Sequence, residues 1–297
     1  MPNLLPGFLV LLIWGLPSVV VTAIFAFVLK TATDLPIYFV GAALPIAFLL
    51  TFVVTAGLLS KTAQKAIIKG KFPREPFHKV YFWRRVYGTC WTQVYYFKPI
   101  YAVFLTIPVL KKFMFKLFGY RGESTNFTIY PDAWIRDLPL LSFGDKSYIS
   151  NRCTIGTNIC LTSGHILVDH VKVGQKSLIG HLALIAPGSI IGNNSEIGTN
   201  CALGIRCIVK DGASIKPSAS IGHGAIVGEK SEIGILSYVG VRAKIGPNLT
   251  LPAGTNIPAG AIINDPKDLE DLNNSETESL KRFLVDYVNK SKGLEFE

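Results

Sequence analysis

A large apolar residue recurs at every sixth position from Phe143 to Ile263, without a change of frame. The series is Phe143, Ile149, Ile155, Leu161, Leu167, Val173, Ile179, Ile185, Ile191, Ile197, Leu203, Val209, Ile215, Ile221, Val227, Ile233, Val239, Ile245, Leu251, Ile257 and Ile263. Glycine often follows the apolar residue, and the fourth residue after it is usually small. A period of six fits neither a helix nor an isolated strand and is typical of a coiled solenoid. The sequence therefore predicts a parallel β-solenoid over almost half of the chain.

Three hexads make one triangular coil, so the repeat predicts about seven coils. The apolar residue points into the core, and the small residue at the fifth position of each hexad points inward near a corner. That small residue is replaced at four positions, three of them consecutive: Ile159, His165, Val171 and Leu249. We expect a bulge or an altered corner around His165. A functional site is also expected there, because local rules fail most often at such sites.

Two long uncharged stretches precede the repeat. No charged side chain occurs from Pro2 to Leu29 or from Leu35 to Leu59. Each stretch exceeds the roughly 20 residues that a helix needs to cross a bilayer. A signal peptide fits the first stretch poorly, because the basic n-region is missing and a second apolar run follows at once. The sequence predicts a hairpin of two transmembrane helices.

The charges predict the orientation of this hairpin. The chain carries a net charge of +10, and the segment between Ser60 and Arg121 is rich in Lys and Arg. Because basic residues flanking a span stay in the cytoplasm, we expect a multi-pass protein of the inner (cytoplasmic) membrane with both hairpin ends and the β-helix on the cytosolic side. Cysteines without metal-type spacing agree with a reducing compartment. Nucleic acid is not expected as a partner, since anionic lipid explains the basic residues more simply.

These features divide the chain into four parts. Residues 1–60 form the transmembrane hairpin, 61–121 a basic, aromatic, membrane-proximal connector, 122–263 the β-helix, and 264–297 a tail with a short helix. For residues 99–118 two placements stay open: a helix in the membrane surface, or a helix packed on the first coil. Residues 122–142 are expected to form an irregular first coil that caps the open end. In the tail, an apolar stripe over Ser275–Lys290 predicts a lid or subunit contact.

The hexads IGTNIC, IGNNSE, IGTNCA, VGEKSE and VGVRAK resemble those of the bacterial hexapeptide-repeat acyltransferases. This resemblance covers residues 143–263. It implies a left-handed parallel β-helix, an all-β fold, and a trimer with active sites between neighbouring prisms. It also implies acetyl-CoA or another acyl-CoA as the co-substrate, with no metal, and a histidine that acts as general base.

The segment LTSGHILVDH contains the histidine and carboxylate that such a mechanism needs. TSGH followed by Asp169 is similar, more weakly, to the membrane-linked acyltransferase-like domains of poly-lysine-type synthetases, so the chain is expected to act alone or in trans with a synthetase. The resemblance makes His165 the base and Asp169 its orienting carboxylate. His181 and His170 are candidate substrate-binding residues. The eighteen-residue spacing of their hexads predicts that His165 and His181 lie on one wall in adjacent coils.

The sequence thus predicts a membrane-anchored acyltransferase. It would move an acyl group, expected to be acetyl, from CoA to a hydroxyl or amine of an envelope glycan, a lipid-linked precursor or a peptide. Two alternatives stay open. One is a membrane-anchored β-helix scaffold without catalysis. The other is a metal enzyme of the gamma-carbonic-anhydrase type, whose glycine–histidine signature IGHLALIAPG resembles, although Ala186 stands where that signature has a second histidine.

Overall fold

A computed structural model describes residues 4–31 and 37–271. The helices that precede the solenoid are α1 (Leu4–Thr31), α2 (Ile37–Gln64), α3 (Lys79–Tyr96), α4 (Lys98–Thr106) and α5 (Pro108–Leu117). Helices α1 and α2 are long and apolar enough to cross a membrane, and only 17% and 22% of their most apolar windows are buried. Because a core helix of a soluble protein would be mostly buried, this exposed apolar surface is better suited to lipid.

The solenoid has three faces, each a parallel sheet of seven strands, so seven coils are stacked. The first face contains β2 (Thr128–Ile129), β5 (Tyr148–Ile149), β10 (Leu178–Ile179), β13 (Glu196–Ile197), β16 (Ser214–Ile215), β19 (Glu232–Ile233) and β22 (Thr250–Leu251). The second contains β3 (Trp134–Ile135), β6 (Thr154–Ile155), β11 (Leu184–Ile185), β14 (Ala202–Leu203), β17 (Ser220–Ile221), β20 (Tyr238–Val239) and β23 (Asn256–Ile257). The third contains β4 (Leu141–Phe143), β9 (Val171–Val173), β12 (Ile190–Ile191), β15 (Ile208–Val209), β18 (Ile226–Val227), β21 (Lys244–Ile245) and β24 (Ile262–Ile263). The predicted parallel β-helix of about seven coils is confirmed.

The inward positions hold the coils together as the hexads predict. The aliphatic residue of each coil strand is buried, as at Ile179, Ile197 and Ile215. The small fifth residue is often a serine whose hydroxyl donates to a carbonyl of the next coil: Ser177 Oγ lies 2.6 Å from Gly192 O. A serine at this position therefore satisfies a buried carbonyl besides filling little space.

One part of the hexad frame does not belong to the coils. Phe143 pairs with Val173, thirty residues later, whereas Ile179 pairs with Ile197 after eighteen. The additional length of two hexads is taken up by an antiparallel hairpin of β7 (Asn158–Cys160) and β8 (His165–Val168) that leaves the prism. The predicted local disturbance around His165 is thus a complete projecting hairpin. Because the hairpin adds two hexads, a multiple of six residues, the apolar residues before and after it stay in the same frame.

The hairpin emerges at the corner between the second and third faces. We call this the hairpin corner; in the next two coils it comprises residues 186–189 and 204–207. The segment β1 (Gly70–Pro73), which follows α2, pairs antiparallel with β8 from Gly70–Val168 to Pro73–His165. A three-stranded sheet therefore joins the segment after α2 to the hairpin.

The first coil is part of the regular stack, and aromatic residues from the helices cover its open end. Phe115 and Tyr120 lie edge-on with centroids 5.3 Å apart, and Phe127 packs against Phe143 with tilted rings whose centroids are 4.9 Å apart. Helices α4 and α5 bury one side against this coil and leave Val109 exposed on the other. Residues 99–118 therefore pack on the first coil, and their placement in the membrane surface stays a prediction. A helical turn occupies residues 266–271, while the predicted stripe at 275–290 lies outside the described residues.

Candidate active site at the hairpin corner

Two consecutive residues at the root of the hairpin form a histidine–carboxylate pair. Asp169 Oδ1 lies 2.8 Å from His170 Nδ1 and also accepts the backbone N–H of His170 at 2.9 Å. The side chain of Asp169 is 1% exposed, whereas that of His170 is 43% exposed. Because the backbone N–H of His170 holds the Asp169 carboxylate in place, the carboxylate fixes the orientation of the His170 ring. The outer ring nitrogen, Nε2, is then available to contact a ligand.

Two cations hold Asp169 from other parts of the chain. Arg206 Nε lies 3.2 Å from its Oδ2, and Lys69 Nζ lies 3.3 Å from its Oδ1. Burial alone would raise the pKa of Asp169, but the hydrogen bonds from His170, Arg206 and Lys69 outweigh it and lower that pKa. These contacts stabilise the fold at pH values above the ordinary range of an aspartate, and the stabilisation is lost as the pH falls through the lowered pKa. Near neutral pH Asp169 is therefore an anion, and Nδ1 of His170 is the donor of their bond.

Arg206 reaches Asp169 because a glycine lies between them. The guanidinium crosses one whole coil, since the backbones of His170 and Arg206 are two stacking steps, about 10 Å, apart. Gly188 is the intervening residue, with φ +82°, and a Cβ there would come within 2.5 Å of Arg206 Cγ and 3.2 Å of Asp169 Oδ2. Arg206 and Arg242 adopt the same left-handed backbone at the equivalent positions of later coils, so glycine is needed at 188 chiefly for this passage.

Replacing Gly188 by alanine is expected to displace Arg206 from Asp169. Both Gly188→Ala and Gly260→Ala, at the same corner, place a side chain at positive φ, which costs on the order of 1 kcal/mol. A Cβ at Gly260 would meet nothing within 4 Å, so it provides the matched control. In thermal unfolding, Gly188→Ala should therefore lower the midpoint further than Gly260→Ala. Equal shifts would mean that the passage over Gly188 does not matter.

His165 lies near the tip of the hairpin, away from the pair. Its Nδ1 is 2.8 Å from Ser163 O, and its backbone is paired with Pro73. Asp169 lies four residues further along the chain, roughly 13 Å away on an extended strand. The predicted orientation of His165 by Asp169 is therefore wrong: the carboxylate holds His170, because the strand turns at the hairpin root. The base role assigned to His165 stays a prediction.

The other histidines occupy separate positions. His181 lies at the corner between the first and second faces, where its Nδ1 is 2.8 Å from Asn151 Oδ1. The predicted shared wall of His165 and His181 is wrong, because the coil of His165 is a hairpin and Ile179 stacks on Ile149. His223 lies at the hairpin corner, three coils beyond Asp169, and its Nδ1 accepts the backbone N–H of Ile205 at 2.9 Å.

Sequence reasoning missed the residues that hold Asp169. No spacing in the sequence relates Lys69 to Asp169, since their contact depends on the pairing of β1 with β8. The eighteen-residue period places Arg206 and Arg242 at the hairpin corner, two coils apart, and Arg242 is exposed there. A separate open cleft of about 640 Å³ borders the third face beside Lys172, but its lining includes Asp145 and Asp211, which disfavour a polyphosphate.

The chain is similar to several solved acyltransferase structures. The acetyltransferase domain of PglB from Neisseria gonorrhoeae, in complex with acetyl coenzyme A, is 14% identical over 53% of this chain and 62% of that one, with a TM-score of 0.23. LpxA from Moraxella catarrhalis, a UDP-N-acetylglucosamine O-acyltransferase, is 14% identical over 43% and 61%, with a TM-score of 0.29. GDP-perosamine N-acetyltransferase from Caulobacter crescentus, in complex with CoA and GDP-perosamine, is 20% identical over 52% and 62%, with a TM-score of 0.21.

The chain spans less than two thirds of the length of each of these three proteins. No protein-family model and no curated protein matches it. The β-solenoid assignment rests on the strand pairing of the chain itself.

Proposed function

We propose that the chain is a membrane-anchored acyltransferase that moves an acyl group, acetyl in the simplest case, from CoA to a hydroxyl or amine. The observation that carries the proposal is the His170–Asp169 pair: a buried carboxylate bonded to one ring nitrogen of a half-exposed histidine, beside a projecting hairpin. The resemblance of the hexads to acyltransferase repeats supports the same chemistry. His170 replaces His165 as the proposed base.

The pair is suited to receive a proton during acyl transfer. With Nδ1–H donated to Asp169, the neutral ring has its lone pair on Nε2, which accepts the proton of the acceptor's O–H or N–H. The acceptor oxygen or nitrogen forms a bond to the thioester carbonyl carbon. The C–S bond then breaks, and the CoA thiolate leaves and takes the proton from the imidazolium. Asp169 keeps the tautomer fixed and stabilises the imidazolium, as in hydrolytic triads.

His165 is the weaker candidate on electrostatic grounds. Its Nδ1 is bonded to a carbonyl oxygen, that of Ser163, which fixes the tautomer as well. A carbonyl carries only a partial charge, however, so it stabilises an imidazolium less than the Asp169 carboxylate does. We therefore propose that His165, on the hairpin, contacts the acceptor. His181 would contact the substrate only if a neighbouring prism of an oligomer completes the site.

A lipid-linked acceptor fits the position of the pair relative to the membrane anchor. Helix α2 ends at Gln64, and Lys69, five residues later, is bonded to Asp169. Five residues span at most about 18 Å of chain. With the basic residues after Ser60 on the cytosolic side of the inner membrane, His170 lies within reach of a headgroup-linked sugar or peptide, which is the acceptor class we propose.

Self-association is part of the proposal. Large apolar side chains are exposed at the corner between the first and second faces in two groups, three coils apart: Leu178, Leu182 and Leu184, and Ile235, Leu236 and Tyr238. Leu236 is 71% exposed, and exposed apolar groups on a rigid prism are suited to a protein interface. The trimer implied by the hexad resemblance would cover it, and would bring the corner of His181 against a neighbouring prism.

The alternatives lack a comparable observation. A scaffold does not need a buried carboxylate aligned on a histidine. For a metal centre of the carbonic-anhydrase type, His181 and His223 do not converge within one chain, because they lie at different corners. The proposal therefore stays with acyl transfer.

The test is transfer of radiolabelled acetyl from acetyl-CoA by the full chain in proteoliposomes that contain an extract of envelope lipids. We expect label in the lipid phase and release of an equal amount of CoA thiol. Binding of acetyl-CoA without any transfer to lipid-phase, glycan or peptide acceptors would favour a non-catalytic role. Failure to bind acyl-CoA at all would contradict the proposal.

A further inference from the structure

A shallow groove lies between the end of α2 and helix α5. It has a volume of about 460 Å³ and is lined by Lys61, Val109, Lys112, Phe113, Lys116 and Leu117. Three of these residues are lysines, three are apolar, and none is acidic. The groove lies apart from the His170–Asp169 pair, and the proposed chemistry does not use it.

Helix α5 is apolar on two sides, and only one of them is covered. Met114 and Phe115 are buried on the side that faces the first coil. On the other side Val109 is 75% exposed and Phe113 is 43% exposed. A helix that needed only to cap the solenoid would place polar residues on its outer side. The outer side of α5 is therefore suited to an apolar environment.

Close packing fixes α5 at the end of α2. Gln64 Nε2 donates to Leu117 O at 2.8 Å. Gly57 approaches Leu117 so closely that a Cβ there would come within 2.2 Å of the leucine side chain. Lys61 lies between these two contacts on α2 and is the first basic residue after the uncharged stretch. The groove therefore lies level with Lys61 along the axis of α2. In a bilayer this is the level of the lipid headgroups.

We propose that the groove binds one anionic phospholipid of the surrounding bilayer. Lys61, Lys112 and Lys116 would contact the phosphate and the negatively charged headgroup, and an acyl chain would lie along Val109, Phe113 and Leu117. Charge complementarity selects an anionic over a zwitterionic lipid, since each lysine near a membrane surface adds roughly 1 kcal/mol of attraction to anionic lipid. The inference rests on the membrane anchoring proposed above and does not depend on acyl transfer.

Phe113→Trp in the full chain, reconstituted in nanodiscs, provides a reporter in the groove. Brominated phosphatidylglycerol and brominated phosphatidylcholine, each mixed with unlabelled lipid of the other class, quench a tryptophan that they contact. The native tryptophans give the background; among them Trp14 on α1 is 39% exposed and reports on the span. We expect brominated phosphatidylglycerol to quench the added tryptophan several-fold more than brominated phosphatidylcholine does.

Lysine variants then distinguish lipid binding in the groove from a general attraction of anionic lipid to surface charge. In the Phe113→Trp background, Lys112→Gln with Lys116→Gln should reduce the preference for phosphatidylglycerol by up to about fivefold per lysine, which is roughly 1 kcal/mol each. Lys71→Gln with Lys79→Gln removes the same charge at exposed positions outside the groove and should leave the preference unchanged.

Each other outcome overturns the inference. Equal quenching by both lipids, or an equal loss in the control pair, would mean that the groove meets bulk lipid without selecting it. An unquenched Trp at 113 with quenched native tryptophans would place the groove in water or against a protein, although the anchor is inserted. If the native tryptophans are also unquenched, the chain is not anchored in the bilayer and the inference fails with the anchoring. Acyl transfer assayed in solution then tests the proposed chemistry independently.

Discussion

His170→Ala is expected to lower the rate of acetyl transfer by about 10²–10⁴-fold, the usual contribution of a general base. The reason is that Nε2 of His170 is the proton acceptor whose ring is aligned by a buried carboxylate, 2.8 Å from Nδ1. The affinity for acetyl-CoA should change little, because in the proposed reaction the imidazole acts on the acceptor. The measurement is steady-state release of CoA thiol, together with acetyl-CoA binding by calorimetry.

His165→Ala is the matched control for this prediction. It removes a second histidine of the same segment that is bonded to a carbonyl oxygen, that of Ser163. We expect a few-fold loss, expressed mainly in the KM for the acceptor. If His165→Ala abolishes transfer while His170→Ala retains it, the base is His165 and the Asp169 pair serves the fold.

Arg84→Met should destabilise the chain by about 3 kcal/mol, the lower end of the cost of breaking a buried ion pair, because Arg136 Nε still lies 3.8 Å from Asp137 Oδ1. Arg84 on α3 is 2% exposed and Asp137 in the first coil is 0% exposed, with Nη2 and Oδ2 2.6 Å apart. Asp137 also accepts from Thr157 at the hairpin root, at 2.8 Å. The pair thus joins α3, the first coil and the hairpin root.

The matched control is Lys79→Met, which removes an exposed cation at the start of the same helix and should shift stability by less than about 0.5 kcal/mol. Adding Asp137→Asn to Arg84→Met should recover part of the loss, since it removes the buried charge that has lost Arg84, and asparagine tolerates the left-handed backbone, φ 56°, at this position. Unfolding can be followed by fluorescence of buried Trp91 on α3. Equal unfolding midpoints for Arg84→Met and Lys79→Met would contradict the prediction.

Most of the fold follows from the hexads, because a period of six with a second small inward position leaves few alternatives. The hairpin could not be delimited in the same way. Its two additional hexads keep the frame, and Leu161 and Leu167 fall on the apolar positions even though they lie outside the coils. The failure of the inner small position at Ile159, His165 and Val171 was the signal that marked it. That signal gave the location of the candidate site but not its geometry.

The contacts that define the site depend on long-range pairing. Lys69 reaches Asp169 because β1 adds to the hairpin, and Arg206 reaches it because Gly188 leaves room across one coil. Neither contact can be read from local spacing. The pairing of Asp169 with His170 instead of His165 follows from the bend at the hairpin root, which a period alone does not describe.

A double-mutant cycle tests whether Asp169 and His170 act as one unit. The rate of acetyl transfer is measured for the native chain, Asp169→Asn, His170→Ala and the double variant, with thermal unfolding to confirm that each one is folded. Residues that act as a unit give strongly non-additive losses. The account predicts that the double variant is no slower than His170→Ala alone. A double variant whose loss equals the product of the two single losses would contradict it.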